Sequence, residues 1–400
     1  MNYRFPGHIR FSTLKSLHLF NPSKILFLLW LFLLIFPKGG FKIGAVPITW
    51  GYLFLAICSV VIAFQKSWQI QESRSTMLLC LLPFQCVAIG TMISNGIADT
   101  GMGFSFLISF FCLPFVFFLL FSNAIESLDT ERLFSLIRRG VFYIAVYGIV
   151  LFFVKGFAGF FLEIPFLTVN WGDLGELDTK HINRGTFSKL ISTYNNGNIF
   201  GVCILMLTPL VNLLENQFWR KWIVKLSLLL SLSRTVWMGL LFSEIVFHCF
   251  ASKDKKKSLA ELFYFFLTAF LFIVFSFYLF GFSWGFFFDQ NLGGRAEYLE
   301  IPENIHLFSD RSFACFEEIV YLGIYNQFGL VGLVPFLLAM GSPLLFILGK
   351  RKSLGPIETS IVCGLVTYLL VACSDGALLY IPTMAFFWFC CSLGLRRNLS

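Results

Sequence analysis

Residues 222–250 read WIVKLSLLLSLSRTVWMGLLFSEIVFHCF, and the placing of Ser233 and Arg234 within them decides the topology. Taken as one helix, the stretch crosses a bilayer once. Broken at Ser233-Arg234, it becomes two segments that enter and leave through the same surface. Charge chooses between them. With the break, both termini share one face with Lys66/Arg74, Arg132/Arg138/Arg139, Arg220/Lys221, the KDKKK run at 253–257, Lys350/Arg351/Lys352 and Arg396/Arg397. Most of the 30 Lys and Arg then lie on that face. Without the break, the loops at 253–257 and 349–352 turn outward, against the bias of cytoplasmic loops toward Lys and Arg. The break is therefore expected, with both termini cytoplasmic. The segment 222–232 is too short to cross upright, which puts Arg234 in a dip of the outer surface.

The rest of the chain shares this apolar character. Of its 400 residues 57% are hydrophobic and 13% charged, and Phe alone supplies 53. A soluble domain carries about 25% charged residues. Mean hydropathy is +0.79. In water such a chain would hold more apolar surface than its cores could hide. A cytosolic enzyme, a secreted domain and a disordered chain are excluded. The apolar runs are continuous rather than alternating, which favours helices over a barrel.

The expected fold is all-α: a polytopic helical membrane protein, one membrane domain over 1–400, with twelve candidate spans. About 20 apolar residues cross a bilayer. The candidates are 25–36, 46–64, 77–93, 102–121, 141–161, 199–214, 222–232, 235–250, 262–281, 321–348, 361–372 and 378–394. No small-residue cleavage site follows the first run, which reads as a retained span. Two outer connections are long, 162–198 and 282–320, and loops of that length are commonly functional or disordered. The 11 cysteines form no CxxC pair, and most sit in apolar runs as small hydrophobes. The net charge of +8 comes from loop cations and reports topology, not nucleic acid.

Four stretches hold polar residues able to do chemistry. In SLSRTVWMGLL at 231–241, Arg234 is a fixed cation at a helix start, with Ser233 placed to cap it. A helix N-terminus plus a guanidinium suits an anion. The competing reading is an arginine snorkelling to outer headgroups. In NLGGRAEYLE at 291–300, two glycines give Arg295 a tight turn whose backbone can approach a ligand, or the segment is a solvated loop. In EEIVYLGIYNQFGLVGL at 317–333, Glu317 and Glu318 stand at a span mouth, with Tyr321 one turn on. Gly329 and Gly332 are expected inside the helix, at a close packing seam. A partly desolvated carboxylate there can act as a general base, or serve as a solvated cap. In STYNNGNIFGVCILMLTPL at 192–210, Asn195, Asn196 and Asn198 cap a span and offer the bonds used in sugar recognition.

Elsewhere, His306 stands alone in the second loop, while His181, Arg184 and Lys189 cluster in the first. Glu244 is an acid within a span, costly there unless paired or protonated. No metal-ligand spacing and no phosphate-binding glycine loop is present, so no cofactor and no metal is expected.

The order of these motifs resembles the O-antigen ligase and O-antigen polymerase superfamily. The likeness rests on the Asn-rich span entry, the span–Ser233–Arg234–span, the outer loop with Gly294-Arg295, and the outer-mouth Glu318 leading to Gly329-x-x-Gly332. It covers residues 190–350. It implies a glycosyltransferase-C-like fold in a bacterial inner membrane. It also implies metal-independent transfer of a saccharide from an undecaprenyl diphosphate carrier, with the bilayer and a chain-length regulator as further partners. In that frame Arg234 and Arg295 bind diphosphate. Glu318 takes the acceptor proton, with Glu317 or His306 as substitutes. Asn195 and Asn198 hold saccharide, and Tyr321 adds a hydrogen bond or stacking face. Ligases of the group resemble one another in having a histidine where this chain has Glu318. Glu318-Ile-Val-Tyr321-Leu322 looks more like the polymerases. The expected function is thus polymerisation of lipid-linked repeat units, against two alternatives: ligation to lipid A-core, and transport by a lipid-linked oligosaccharide flippase.

Overall fold

The computed structural model describes residues 22–43, 46–64, 71–179, 183–184, 187–252, 255–279, 281, 285, 306–314, 318–349 and 354–396. Each of the twelve apolar stretches lies largely on a helix. In chain order these are α1 (Pro22–Leu34), α2 (Trp50–Phe64), α3 (Glu72–Asn95), α4 (Thr100–Leu120), α5 (Thr130–Ala158) and α6 (Gly197–Leu214). They continue with α7 (Phe218–Leu229), α8 (Arg234–Val246), α9 (Lys255–Leu279), α10 (Val320–Gly349), α11 (Pro356–Val371) and α12 (Ile381–Gly394). Six of them (α3, α4, α5, α6, α9 and α10) are long and apolar enough to cross a bilayer. That fits a multi-pass membrane protein.

One stretch begins differently from expectation. Residues 46–49 form a strand, not the start of a span. Val46–Thr49 (β2) pairs antiparallel with Gly40–Ile43 (β1), Gly40 opposite Thr49. Pro47 lacks an amide hydrogen and Val46, Ile48 and Thr49 are β-branched, so the segment suits a short hairpin better than a helix. The hairpin is tied to the connection after α5: Lys42 pairs with Asp173 at 2.8 Å, and Trp50 Nε1 donates to the Phe166 carbonyl at 2.6 Å. This end of the bundle, with the connections 159–196 and 372–380, is called the upper end below.

The expected break between α7 and α8 is present. Helix α7 stops at Leu229, and Leu232 takes a left-handed φ of 48°. Ser233 is extended and Arg234 opens α8. The capping is by the backbone alone. The Ser233 side chain makes no cap hydrogen bond, while its carbonyl accepts from Trp237 N–H at 2.9 Å. Trp237 Nε1 reaches back to the Leu229 carbonyl at 2.8 Å, filling one acceptor orphaned by the end of α7.

Small residues set the helix crossings around the break. A Cβ on Gly201 of α6 would sit 2.2 Å from Val236 of α8, and one on Gly364 of α11 would sit 2.0 Å from the Met206 carbonyl. Gly239 faces Leu205 and Val371 in the same way. These contacts bring α6, α8 and α11 together as a tight trio. Phe84, Phe106, Phe110, Phe328 and Phe336 fill a second centre between α3, α4 and α10, with Phe84 edge-on to the other four.

Gly329 plays a part other than the one expected. It does not sit in a straight packing seam. Its φ of 71° and ψ of −170° kink α10. The amides of Leu330 and Val331 bond instead to the carbonyls of His306 and Leu307, each at 3.1 Å. A Cβ at Gly329 would lie 2.3 Å from the Leu307 oxygen, so glycine is required both for the φ and for the approach.

The lower end is tied by buried charge. Arg74 donates to the Ser122 carbonyl at 2.6 Å, to Glu126 at 3.2 Å and to the Ser392 carbonyl at 3.3 Å. Helix α9 is the least embedded of the long helices, with Phe263, Phe270 and Tyr278 exposed. Exposed aromatic surface on that scale suits lipid rather than water.

Candidate functional site

Four segments meet at the upper end: the approach to α6, the break before α8, the start of α10, and the turn between α11 and α12. Backbone bonds fix them to one another. Leu190 N–H donates to the Leu230 carbonyl at 3.0 Å, Val320 N–H to Ala372 at 3.2 Å, and Gly376 N–H to Glu318 at 3.4 Å.

Side chains complete the junction. Lys189 Nζ donates to Asn198 Oδ1 at 3.2 Å, and Asn198 Nδ2 donates to Asp375 Oδ2 at 2.7 Å. Thr235, next to Arg234, shares a 2.8 Å hydroxyl–hydroxyl bond with Ser374, next to Asp375. Asp375 is buried. Arg234 is half-buried at the first position of α8. The result is a carboxylate, a lysine and an arginine on adjoining elements, between the N-termini of α6 and α8. Both helix dipoles present their positive ends there.

The backbone is strained at this place. Among the described residues five non-glycine positions have positive φ, and four of them frame the junction: Ser192, Asn195, Leu232 and Ala377. Left-handed non-glycine residues cost energy and cluster at functional sites. Asn195 is one of them, and its Oδ1 is buried without a hydrogen-bond partner.

The sequence-derived candidates fall out unevenly. Arg234 and Asn198 belong to the junction. The helix cap, however, is Asn196, whose Oδ1 accepts from Asn198 and Ile199 N–H at 2.8 and 3.3 Å. Asn198 is thereby free of capping and turns to Asp375. Glu318 is exposed, because α10 begins two residues later and leaves it outside the first turn. It is therefore not the desolvated carboxylate expected at this mouth; Asp375 is. Tyr321 commits its hydroxyl to the Leu369 carbonyl at 2.7 Å, fastening α10 to α11. His306 is exposed on the α10 kink, its amide donating to the Tyr325 hydroxyl at 3.0 Å. Arg295, Glu317 and His181 lie outside the described residues. Asp375 is not among the sequence-derived candidates, and its only local signal is slight: one acid in Cys373-Ser374-Asp375-Gly376, a short connection between two apolar runs.

Beside the junction lies an apolar groove of about 910 Å³. Its walls are the upper halves of α5, α7 and α9, with Phe153, Phe187, Leu230 and Phe275 among the lining residues. Leu230 belongs to both features: its side chain lines the groove while its carbonyl holds Leu190, next to Lys189. No known family, curated protein or solved structure matches this chain.

Proposed function

We propose that this protein is a twelve-span membrane glycosyltransferase that polymerises saccharide units carried on a lipid diphosphate, acting at the outer face of a bacterial inner membrane. One observation carries the reading: the Lys189–Asn198–Asp375 junction, with Arg234 one residue from the Thr235–Ser374 bond that closes it, adjoins an apolar groove at the same end of the bundle. A substrate with a diphosphate head and a long apolar tail needs both, side by side.

The chemistry follows from the charges. The acceptor hydroxyl oxygen attacks the anomeric carbon of the donor. The bond from that carbon to the diphosphate oxygen breaks, and the lipid diphosphate leaves with the electron pair. Arg234 and the dipole ends of α6 and α8 stabilise the leaving charge, with Arg295 as the second guanidinium. A carboxylate takes the acceptor proton. Asp375 suits that role by burial and by its fixed bond to Asn198, and the Glu318 backbone is held beside its turn by the bond from Gly376 N–H to the Glu318 carbonyl at 3.4 Å. Asn195, with an unfilled buried acceptor, is the residue best suited to a sugar hydroxyl.

Arg234→Ala and Asp375→Asn, expressed in a strain lacking the chromosomal copy, test this on glycan gels. A polymerase that fails leaves single repeat units on the core, whereas a ligase that fails leaves carrier-linked polymer off it. Unchanged long-chain glycan at normal protein level rejects the assignment. The flippase reading draws on a separate feature, a buried charge cluster in the lower half, since transporters keep ionisable groups within the membrane.

A further inference from the structure

The lower half of the bundle holds ionisable groups that the upper site does not use. Glu244 of α8 is fully buried. Lys225 of α7 donates to its Oε2 at 2.7 Å, and Asn212 of α6 donates to its Oε1 at 2.8 Å. One helical turn on, His248 points Nε2 at the same Oε2 from 3.3 Å. That nitrogen is buried and makes no hydrogen bond. His248 Nδ1 lies 2.7 Å from the hydroxyl of Ser258 on α9. Ser258 in turn lines a cavity of about 460 Å³, together with Lys221, Lys257, Glu261, Glu215 and Asn212. Glu244, His248 and Ser258 thus stand in line between a buried carboxylate and a polar cavity at the lower end, the His248–Ser258 link hydrogen-bonded and the Glu244–His248 approach a 3.3 Å contact.

Stability does not explain this cluster. Buried ion pairs are commonly matched or bettered by apolar packing. Ionisable side chains within a membrane usually mark ion or proton paths. The turn that carries His248 is also a π-helix, Phe247–Ala251, and such turns are frequent at functional sites.

We propose that His248 is a proton-binding site, filled from the lower cavity through Ser258. The Ser258 oxygen has two partners within reach, His248 Nδ1 at 2.7 Å and the His248 carbonyl at 3.2 Å. With a neutral ring protonated on Nε2, the hydroxyl donates to Nδ1. With an imidazolium, Nδ1–H donates to the hydroxyl oxygen, and the hydroxyl hydrogen turns to the carbonyl. Both states use atoms already in place. Loading needs one proton: it adds to the Ser258 oxygen as the hydroxyl proton passes to Nδ1, and release reverses the step with no other bond changed. The cation gained faces Glu244 and competes with Lys225 for it. Among the described residues the other charged groups nearby are Lys221 on α7 and Lys257 and Glu261 on α9, with Glu215 after α6; on α11, Cys363 bonds to the Val246 carbonyl. Lys225 and Glu244 join the two arms of the α7–α8 hairpin whose tip carries Arg234, so the proton acts on the element that holds the upper site. The site stands whether or not the protein transfers sugars.

The test uses the full chain with ¹⁵N-histidine in lipid nanodiscs, followed by ring-nitrogen NMR from neutral to mildly acidic buffer. The chain has five histidines, and His248→Gln removes the signals to be followed. The unequal nitrogen pair of a neutral His248 ring is expected to become the near-equal pair of an imidazolium as pH falls. Ser258→Ala, which removes no charge, is expected to shift that change, and it identifies the signals if His248→Gln does not fold. A His248 ring that stays neutral throughout the folded range, or a change that Ser258→Ala leaves untouched, overturns the proposal.

Discussion

Asn198 and Asp375 stand 177 positions apart, and a 2.7 Å hydrogen bond joins them. The bond ties the entry of α6 to the turn between α11 and α12 and fixes a buried carboxylate there. Asp375→Asn keeps the shape and removes the charge. The variant is expected to fold as the parent does and to lose about 10²–10⁴-fold in glycan polymerisation if Asp375 is the proton acceptor. A rate assay on membranes, set beside thermal melting of the purified protein, separates chemistry from stability.

Asn198→Ala acts one step further back. It removes a donor from Asp375 and an acceptor from Lys189 in one substitution. A buried carboxylate deprived of a donor costs about 1–3 kcal/mol. The expected result is a melting point lower than that of Asp375→Asn, together with reduced polymer length on gels.

Gly329→Ala tests the kink of α10. The left-handed φ and the 2.3 Å approach to the Leu307 oxygen forbid a Cβ without movement. The penalty is about 1–3 kcal/mol of strain, plus loss of the bonds from Leu330 and Val331 to residues 306 and 307. Limited proteolysis is expected to cut near 306–313 faster in the variant, while Gly341→Ala, where a Cβ meets open space, is expected to be neutral.

Much of this was legible in the sequence. Apolar run length placed α1 to α12, because a hydrocarbon solvent forces the backbone to satisfy itself locally, though not the short helices Ser122–Glu126 and Glu176–Thr179. Charge bias found the break at Ser233-Arg234 before any geometry. What stayed hidden depended on close approach across the chain. Nothing local in Cys373-Ser374-Asp375-Gly376 shows that Asn198 will cover it. Nothing in Gly329-x-x-Gly332 separates a packing seam from a kink that borrows carbonyls from a distant loop. The strand at 46–49 was missed because its apolar residues extend an apolar run, and only Pro47 hints at the change.

Lys42 supplies a pH test away from the membrane. The Asp173 carboxylate beside it, by hydrogen bond and by charge, raises the ammonium above the ordinary lysine value. A raised folded value means that the pair's contribution is full below the unfolded lysine value and fades as pH climbs through the folded one. The β1–β2 hairpin is thus expected to keep this tie across neutral pH and to lose it as the ammonium deprotonates in strong alkali. In mildly alkaline buffer Lys42 is expected to react more slowly with an amine-acylating reagent than in Asp173→Asn, read by mass spectrometry. Equal rates would leave the ion pair without effect.

Arg234, at the tip of the α7–α8 hairpin, is proposed to grip a lipid-linked diphosphate. The most direct measurement is turnover by purified, reconstituted protein given a synthetic polyprenyl-diphosphate oligosaccharide, comparing the parent with Arg234→Ala and Arg234→Lys. A ladder of elongated products is expected from the parent, with loss of about 10²-fold or more for Arg234→Ala and partial recovery for Arg234→Lys. A ladder of equal length and rate from Arg234→Ala, in protein shown to be folded, contradicts that role.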